Sequence, residues 1–160
     1  MSFTYSSLKT AIQNYTENDE TTFTSNLDNF IKNAEELILK NVQLTDFRKN
    51  STGTMTSSNQ YLGSPSDFLA PFSLSFTSSS VKTFLELKDV NFIQTFNPNS
   101  STTGSPRYYA LFDTDNFLIG PTPDSNYSVE LHYYYRPASL AAAGDSGTTW
   151  LSTHAPVTLL

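Results

Sequence analysis

The sequence of 160 residues contains no cysteine, which excludes a disulfide scaffold and any metal site built on thiolates. Charged residues account for only 15% of the chain, below the share of about a quarter that is typical of soluble domains. The formal net charge is −6 and no run of Lys or Arg occurs. Because a protein that binds a nucleic-acid backbone tightly needs clustered cations, this composition argues against a reader of DNA or RNA sequence.

Long apolar runs are also missing. No uninterrupted stretch approaches the length of a membrane span, and the first residues lack the apolar core of a signal peptide. We therefore expect no membrane partner. What the chain does contain is 14% aromatic residues on a background rich in Ser, Thr and Asn. Such a composition favours a folded domain with few but large core residues, and a weakly charged surface suited to contact with copies of itself.

The first 46 residues predict a helical hairpin. Residues 3–15 show the spacing of a short amphipathic helix, which Thr4 or Ser6 could cap. The second helix, from about Thr21 to Asn41, would be about 30 Å long. Its apolar positions step by three and four residues, and they are Phe23, Leu27, Phe30, Ile31, Ala34, Leu37 and Ile38.

From residue 47 to 137 the apolar period changes to two, which predicts a β-rich insertion with one short helix near 89–96. The stretch 127–136 alternates most clearly, with Tyr127, Val129, Leu131, Tyr133 and Tyr135 on one face. Together with the blocks at 107–112 and 117–124, it reads as an antiparallel β-meander with an aromatic seam.

Residues 138–160 predict a loop and the start of a C-terminal helix, which Ser152 or Thr153 would cap with Pro156 in the first turn. Apolar residues accumulate just before Leu160, so we expect either that the natural chain continues or that a neighbour completes this segment. Helices at both ends could form one bundle layer with the antiparallel meander or sandwich inserted between them. The predicted fold class is therefore α+β, in a single structural unit.

A catalytic set is hard to assemble from this sequence. Neither His132 nor His154 has another potential ligand or catalytic residue at a sequence spacing that indicates a metal or catalytic role. The residues from Asp113 to Asn116 fail the spacing of a calcium loop and fit a hairpin turn better. We predict no enzymatic activity and no cofactor. A hydrolase using Glu130 or Asp124 stays a minor alternative, and it would need a carboxyl group with a raised pKa.

The aromatic residues of the meander are better explained as core or interface residues than as parts of a catalytic site. Tyrosines could also form a platform for sugars, so a β-rich carbohydrate-binding module of a phage tail or receptor-binding component remains the main alternative. Aromatic residues and arginines are enriched at protein interfaces. The interface candidates are Arg107, Tyr108, Tyr109, Tyr133, Tyr134, Tyr135, Arg136 and Trp150.

Several segments carry a family resemblance that covers nearly the whole chain. The most specific is Gly-Pro-Thr-Pro-Asp at 120–124, followed by the tyrosine-rich strand at 129–137. These segments resemble the adaptor proteins of tailed bacteriophages, which complete the head and connect it to the tail. The other matching segments are 12–16, 30–36, 89–93, 106–112, 117–119, 148–151 and 159–160.

The resemblance implies a structural virion protein at the head-to-tail junction, the neck, made in the host cytoplasm. Such adaptors form a homo-oligomeric ring, typically a dodecamer, that docks on the portal protein and presents a platform to tail, nozzle or tail-tube proteins. Double-stranded DNA would pass through the lumen without sequence-specific binding. The family also implies a helical bundle with a β-rich insertion and no enzymatic activity. Net negative charge suits a lumen along which DNA must slide.

Overall fold

Helices and strands both occur in the computed structural model, which describes residues 2–42 and 45–159. Within these residues, four α-helices accompany a mostly antiparallel seven-stranded sheet, which confirms the α+β prediction. The chain divides into a helical unit, formed by residues 2–42 and 136–159, and a sheet unit, Thr45–Tyr135. The α-helices are α1 (Tyr5–Thr16), α2 (Thr21–Asn41), α3 (Val90–Phe96) and α4 (Trp150–His154).

The strands belong to the sheet unit. They are β1 (Arg48–Met55), β2 (Tyr61–Gly63), β3 (Phe68–Ser78), β4 (Val81–Leu87), β5 (Thr103–Gly104), β6 (Tyr108–Leu111), β7 (Asn116–Gly120), β8 (Thr122–Pro123) and β9 (Tyr127–Tyr135). Short 3-10 helices occupy Thr45–Phe47, Leu140–Ala143 and Pro156–Leu159.

The helical unit begins as its sequence predicts. Thr4 caps α1 in a reciprocal arrangement with Ser7, in which each side chain accepts a hydrogen bond from the other's backbone N–H. Helix α2 has the predicted bounds and buries one stripe of residues spaced by four. That stripe contains a charged member, Glu35, whose Oε1 accepts a hydrogen bond from the Leu140 N–H at 2.9 Å. This contact ties α2 to the 3-10 helix at Leu140–Ala143.

The C-terminal helix starts earlier than predicted. Thr149 is the N-cap of α4, because its hydroxyl accepts from the Ser152 N–H while Ser152 Oγ accepts from the Thr149 N–H. The prediction of Ser152 or Thr153 as the cap was therefore wrong. A Thr and a Ser three residues apart satisfy two backbone donors together, which a cap further along the chain would leave unpaired. Pro156 opens the last 3-10 helix instead.

The seven-stranded sheet has the order β1-β9-β3-β4-β6-β7-β2, and within the described residues only the β4–β6 pair is parallel. Strand β5 pairs with β8 in a separate parallel ribbon. The predicted meander is wrong in its connectivity: β6 and β7 form a hairpin, but β9 inserts between β1 and β3. Pro121 and Pro123 follow β7, and residues that lack an N–H cannot continue a ladder there.

Alternation along β9 does match the prediction. Val129, Leu131 and Tyr133 are buried, and Tyr127 and Tyr135 pack against the same core. The rest of this core comes from the other strands of the sheet and comprises Met55, Leu62, Leu74, Phe76, Leu85, Tyr109, Phe117 and Ile119, with Phe68 packed at its margin. A second cluster places Ile93 of α3 against Ala110 and Leu118 of the β6–β7 hairpin.

Candidate interaction surfaces

The eight predicted interface residues differ in exposure. Tyr109 and Tyr133 are 3% and 1% exposed and belong to the core of the sheet unit. Burial raises the pKa of both hydroxyls, to about 12 for Tyr133, where the Asp67 carboxylate adds to the effect. Tyr135 is half-buried against the same core. In the free chain these rings therefore support the sheet.

Tyr108 belongs to an aromatic cluster between α3 and β6. Its ring meets Phe92 and Phe96 edge-on, each at 5.1 Å between centroids, and Phe92 stacks on Phe96. The ammonium of Lys88 lies 5.8 Å from the Tyr108 centroid. Phe92 and Phe96 are exposed, so they form the outer layer of this cluster.

Tyr134 takes part in a different cluster, on the outer face of β1, β9 and β3. Arg48 Nη2 donates a hydrogen bond to the Tyr134 hydroxyl at 2.9 Å. The guanidinium carbon of Arg48 lies 4.0 Å from the centroid of Phe72, and Phe72 also meets His132 edge-on. These contacts place Tyr108 and Tyr134 in separate clusters with separate neighbours, and Tyr109 is buried, so the tyrosines do not meet in the shared sugar platform that was the main alternative.

The other three candidates have contacts outside these two aromatic clusters. Arg107 is exposed, and its main chain bonds Gly120 and Glu86. Arg136 pairs with Glu36 of α2, which also faces Lys40 at 3.6 Å. The half-buried Trp150 stacks on His154 with 5.0 Å between centroids. The interface role of all eight residues remains a prediction.

The carboxylates considered for catalysis have separate structural partners. Asp124 Oδ1 accepts a hydrogen bond from the Tyr127 hydroxyl at 2.6 Å. Glu130 accepts from Lys82 and Asn50, and the hydrogen bond from Lys82 lowers the pKa of Glu130. A general acid needs a raised pKa, so the Glu130 geometry does not support the hydrolase alternative. Among the described residues, no group of three His, Asp or Glu side chains could hold a metal ion.

A slot lies between β1 and β2, the two terminal strands of the sheet order. It encloses about 230 Å³ and is lined by Ser51, Thr52 and Gly53 on one side and by residues 62–65 on the other. Phe117, Val129 and Leu131 of the core form its floor. The small residues Ser51 and Gly53, which alternate with outward-facing residues along β1, were the sequence signal that the inner face of this strand is under-filled.

A second feature is a stripe beside the buried seam of α2, formed by apolar residues that the spacing had grouped with the seam itself. It consists of Phe23, Phe30 and Leu37, which are spaced by seven residues. Phe30 and Leu37 are 49% and 64% exposed, and Phe23 contacts Phe30 at 5.9 Å between centroids. We call these three residues the α2 stripe. Apolar residues repeated every seven positions are typical of helices that pack against another helix.

No described helix is long and apolar enough to cross a membrane. Large apolar side chains are exposed on this α+β framework, as in the α2 stripe and at Phe92 and Phe96, and exposed apolar patches are typical of proteins that contact other macromolecules. The sequence matches the SU10 adaptor protein family over residues 3–160. The chain therefore belongs to this family of phage adaptor proteins and is a virion component of a structural kind, as its resemblance predicted. No curated protein matches the chain.

Proposed function

We propose that the chain assembles as a homo-oligomeric ring, of twelve copies, that connects the portal ring of the capsid to the tail and extends the DNA channel. The match to the SU10 adaptor family over residues 3–160 is the observation that carries this proposal. Its partners in the neck are the portal protein and tail, nozzle or tail-tube proteins. DNA passes through the lumen without sequence-specific contacts, and the chain acts without enzymatic activity.

Exposed apolar groups support assembly into a ring. A cyclic ring uses heterologous contacts, in which one face of a subunit meets a different face of the next. The α2 stripe and the outer layer formed by Phe92 and Phe96 are two such faces, because each presents large apolar side chains to solvent in one chain. The predicted contact residues that remain at least partly exposed are Arg107, Tyr108, Tyr134, Tyr135, Arg136 and Trp150.

Charge supports the passage of DNA. The formal net charge of −6 is spread over a chain with only nine basic residues. Several of these cations already face carboxylates, as Lys49 does with Asp67 and Lys82 with Glu130. Cations paired in this way contribute little to attraction of phosphates, so the surface suits a channel that DNA traverses.

Native mass spectrometry and electron microscopy of the purified chain, with and without the portal protein of the same phage, test the proposal. We expect rings of twelve copies that bind the portal ring and leave a continuous axial channel. Persistent monomers without portal affinity would contradict it, provided that the full natural chain is used.

A further inference from the structure

A groove lies beside α3 on the surface of the sheet unit. It encloses about 500 Å³, and three apolar residues of its lining, Leu87, Phe92 and Leu111, are 50%, 42% and 46% exposed. Apolar surface residues are usually scattered singly, whereas several around one depression are typical of a contact site. We call this depression the α3 groove. Its other lining residues are Lys88, Asp89 and Val90.

The α3 groove has an excess of negative charge. Lys88 pairs with Glu86 at 3.0 Å, while no described cation pairs with Asp89, which is exposed. Two carboxylates thus accompany one ammonium group at this groove. An apolar side chain that lies beside an unbalanced cation would complement it in both shape and charge.

The end of the α2 stripe at Leu37 has this complementary character. Leu37 is 64% exposed, more than the other residues of the stripe. The single carboxylate of Glu36 pairs with two cations, Lys40 and Arg136, so positive charge exceeds negative charge by one in this group. Lys40 lies one helical turn from Leu37, on the neighbouring part of the helix surface.

Two other surfaces fit the Leu37 end less well. Phe72 is exposed, but the guanidinium of Arg48 lies over its ring and pairs with no described carboxylate, so like charges would meet there. A second α2 stripe is unsuitable for a different reason. Two identical surfaces form a two-fold contact, which closes at two copies and does not continue around a ring.

We propose that Leu37 of one copy enters the α3 groove of the next copy, so that the α2 stripe packs across α3. Lys40 then approaches Asp89 of the neighbouring copy. This inference rests on the proposed ring, because it specifies the two different surfaces that form the contact between its subunits.

The test uses the absence of native cysteine. Asn33→Cys places a thiol one turn before Leu37 at an exposed position and leaves the stripe intact. Leu87→Cys places a thiol in the wall of the groove and leaves Val90, Phe92 and Leu111 in place. The two single-cysteine chains are mixed, assembled and treated with a short bismaleimide. We expect a covalent product that contains one chain of each kind.

Val81→Cys, in place of Leu87→Cys, is the matched control. Val81 is 63% exposed and lies on the same strand and face as Leu87, but six residues, or about 20 Å, away from it. We expect its crosslink to Asn33→Cys to be at least tenfold weaker. A chain that carries both Asn33→Cys and Leu87→Cys should give a ladder of covalent multimers on a denaturing gel, because each copy then links to the next.

Three results would overturn the inference while leaving the ring in place. They are rings without a crosslink between positions 33 and 87, equal yields for Leu87→Cys and Val81→Cys, and dimers from Asn33→Cys alone at the yield of the mixture. The last would mean that two stripes face each other. Native mass spectrometry of the unmodified chain is run alongside, and if it detects only monomers, with and without the portal protein, the proposed function fails and the inference with it.

Discussion

At the scale of single residues, a buried hydroxyl links the core of the sheet to its surface. The Tyr133 hydroxyl donates to Asp67 Oδ1 at 2.7 Å, and Lys49 donates to Asp67 Oδ2 at the same distance. Tyr133 is among the most deeply buried large side chains of the sheet unit. Its hydrogen bond therefore satisfies a polar group that solvent cannot reach, and it fixes the position of the loop that precedes β3.

Replacing Tyr133 by Phe tests this hydrogen bond. The change removes one hydroxyl and keeps the ring, so we expect the free energy of unfolding to fall by about 1 kcal/mol. Urea unfolding followed by circular dichroism measures the loss. Tyr135→Phe, on the same strand and face but at the margin of the core, serves as control with a smaller expected change. Equal stability of Tyr133→Phe and wild type would show that the bond contributes nothing.

Asp67 should make the stability of the sheet unit sensitive to acid. Hydrogen bonds from Lys49 and Tyr133 hold the pKa of Asp67 below its ordinary value of 3.8. A carboxyl group with a lowered pKa in the folded state stabilises the fold at a pH above its unfolded pKa. That contribution disappears as the pH falls through the folded pKa.

The corresponding prediction compares wild type with Asp67→Asn across pH. At pH 6 we expect the variant to be less stable by at most about 1 kcal/mol, because Lys49 is half exposed and solvent screens the pair. The difference should shrink as the pH falls below about 4, since the wild-type carboxyl then takes up a proton. Urea titrations at pH 6, 4 and 2.5 measure it. A difference that stays constant or grows toward acid would contradict the assignment.

At the scale of elements, close packing fixes α3 on the β6–β7 hairpin. A Cβ built on Gly120 would lie 2.8 Å from Cγ2 of Ile93, a side chain that is 3% exposed. Since Ile93 is β-branched and enclosed by Ala110 and Leu118, it has little room to move. Gly120 is thus required by the approach of the helix to the strand.

Gly120→Ala should therefore destabilise the protein by about 1–3 kcal/mol through overpacking. Gly104→Ala is the matched control, because its Cβ would meet Pro121 at an ordinary 3.5 Å and should change stability by less than about 0.5 kcal/mol. Thermal unfolding of both variants checks the difference. If Gly120→Ala and Gly104→Ala had indistinguishable Tm values, α3 would be able to shift away from β7 without losing stability.

Elements whose pattern is local could be predicted from sequence, and those defined by distant pairing could not. The three-and-four spacing from Phe23 to Ile38 was sufficient for the bounds of α2, and the alternation of Tyr127 to Tyr135 was sufficient for the faces of β9. The insertion of β9 between β1 and β3 depends on strands more than fifty residues away, which no local period encodes. The slot could not be predicted from sequence either, because it depends on β1 and β2 being the first and last strands in the order of the sheet.

The candidate interface residues could likewise be predicted only in part. The aromatic residues around β6 and β9 were identified from sequence, but adjacent tyrosines differ in environment because strand alternation points them to opposite faces. Tyr133 is enclosed in the core while Tyr134 contacts Arg48 and Phe72 on the outer face. Alternation in the sequence separates the two faces of β9, and the packing shows which face is the core and which stays available for contact.

At the scale of the whole molecule, the proposed ring needs a surface on each chain that a second copy covers. The α2 stripe is one such surface in the helical unit, because Phe23 and Leu37 are fourteen positions apart, or about 21 Å along the helix. Exposed apolar side chains gain stability when a neighbour buries them, and a seven-residue spacing is typical of packing against another helix. We therefore infer that a second copy of this chain packs against the stripe in the assembled ring.

A double variant, Phe30→Ser with Leu37→Ser, tests this contact. Both side chains are exposed in the single chain, so the isolated variant should keep its circular dichroism and lose little stability. In native mass spectrometry we expect the fraction of chains in rings to fall at least tenfold, because two anchors of one contact are truncated. Lys32→Ser, also exposed on α2, is the control and should assemble like wild type. Rings that form at the wild-type yield from the double variant would show that the stripe faces something other than a neighbouring subunit.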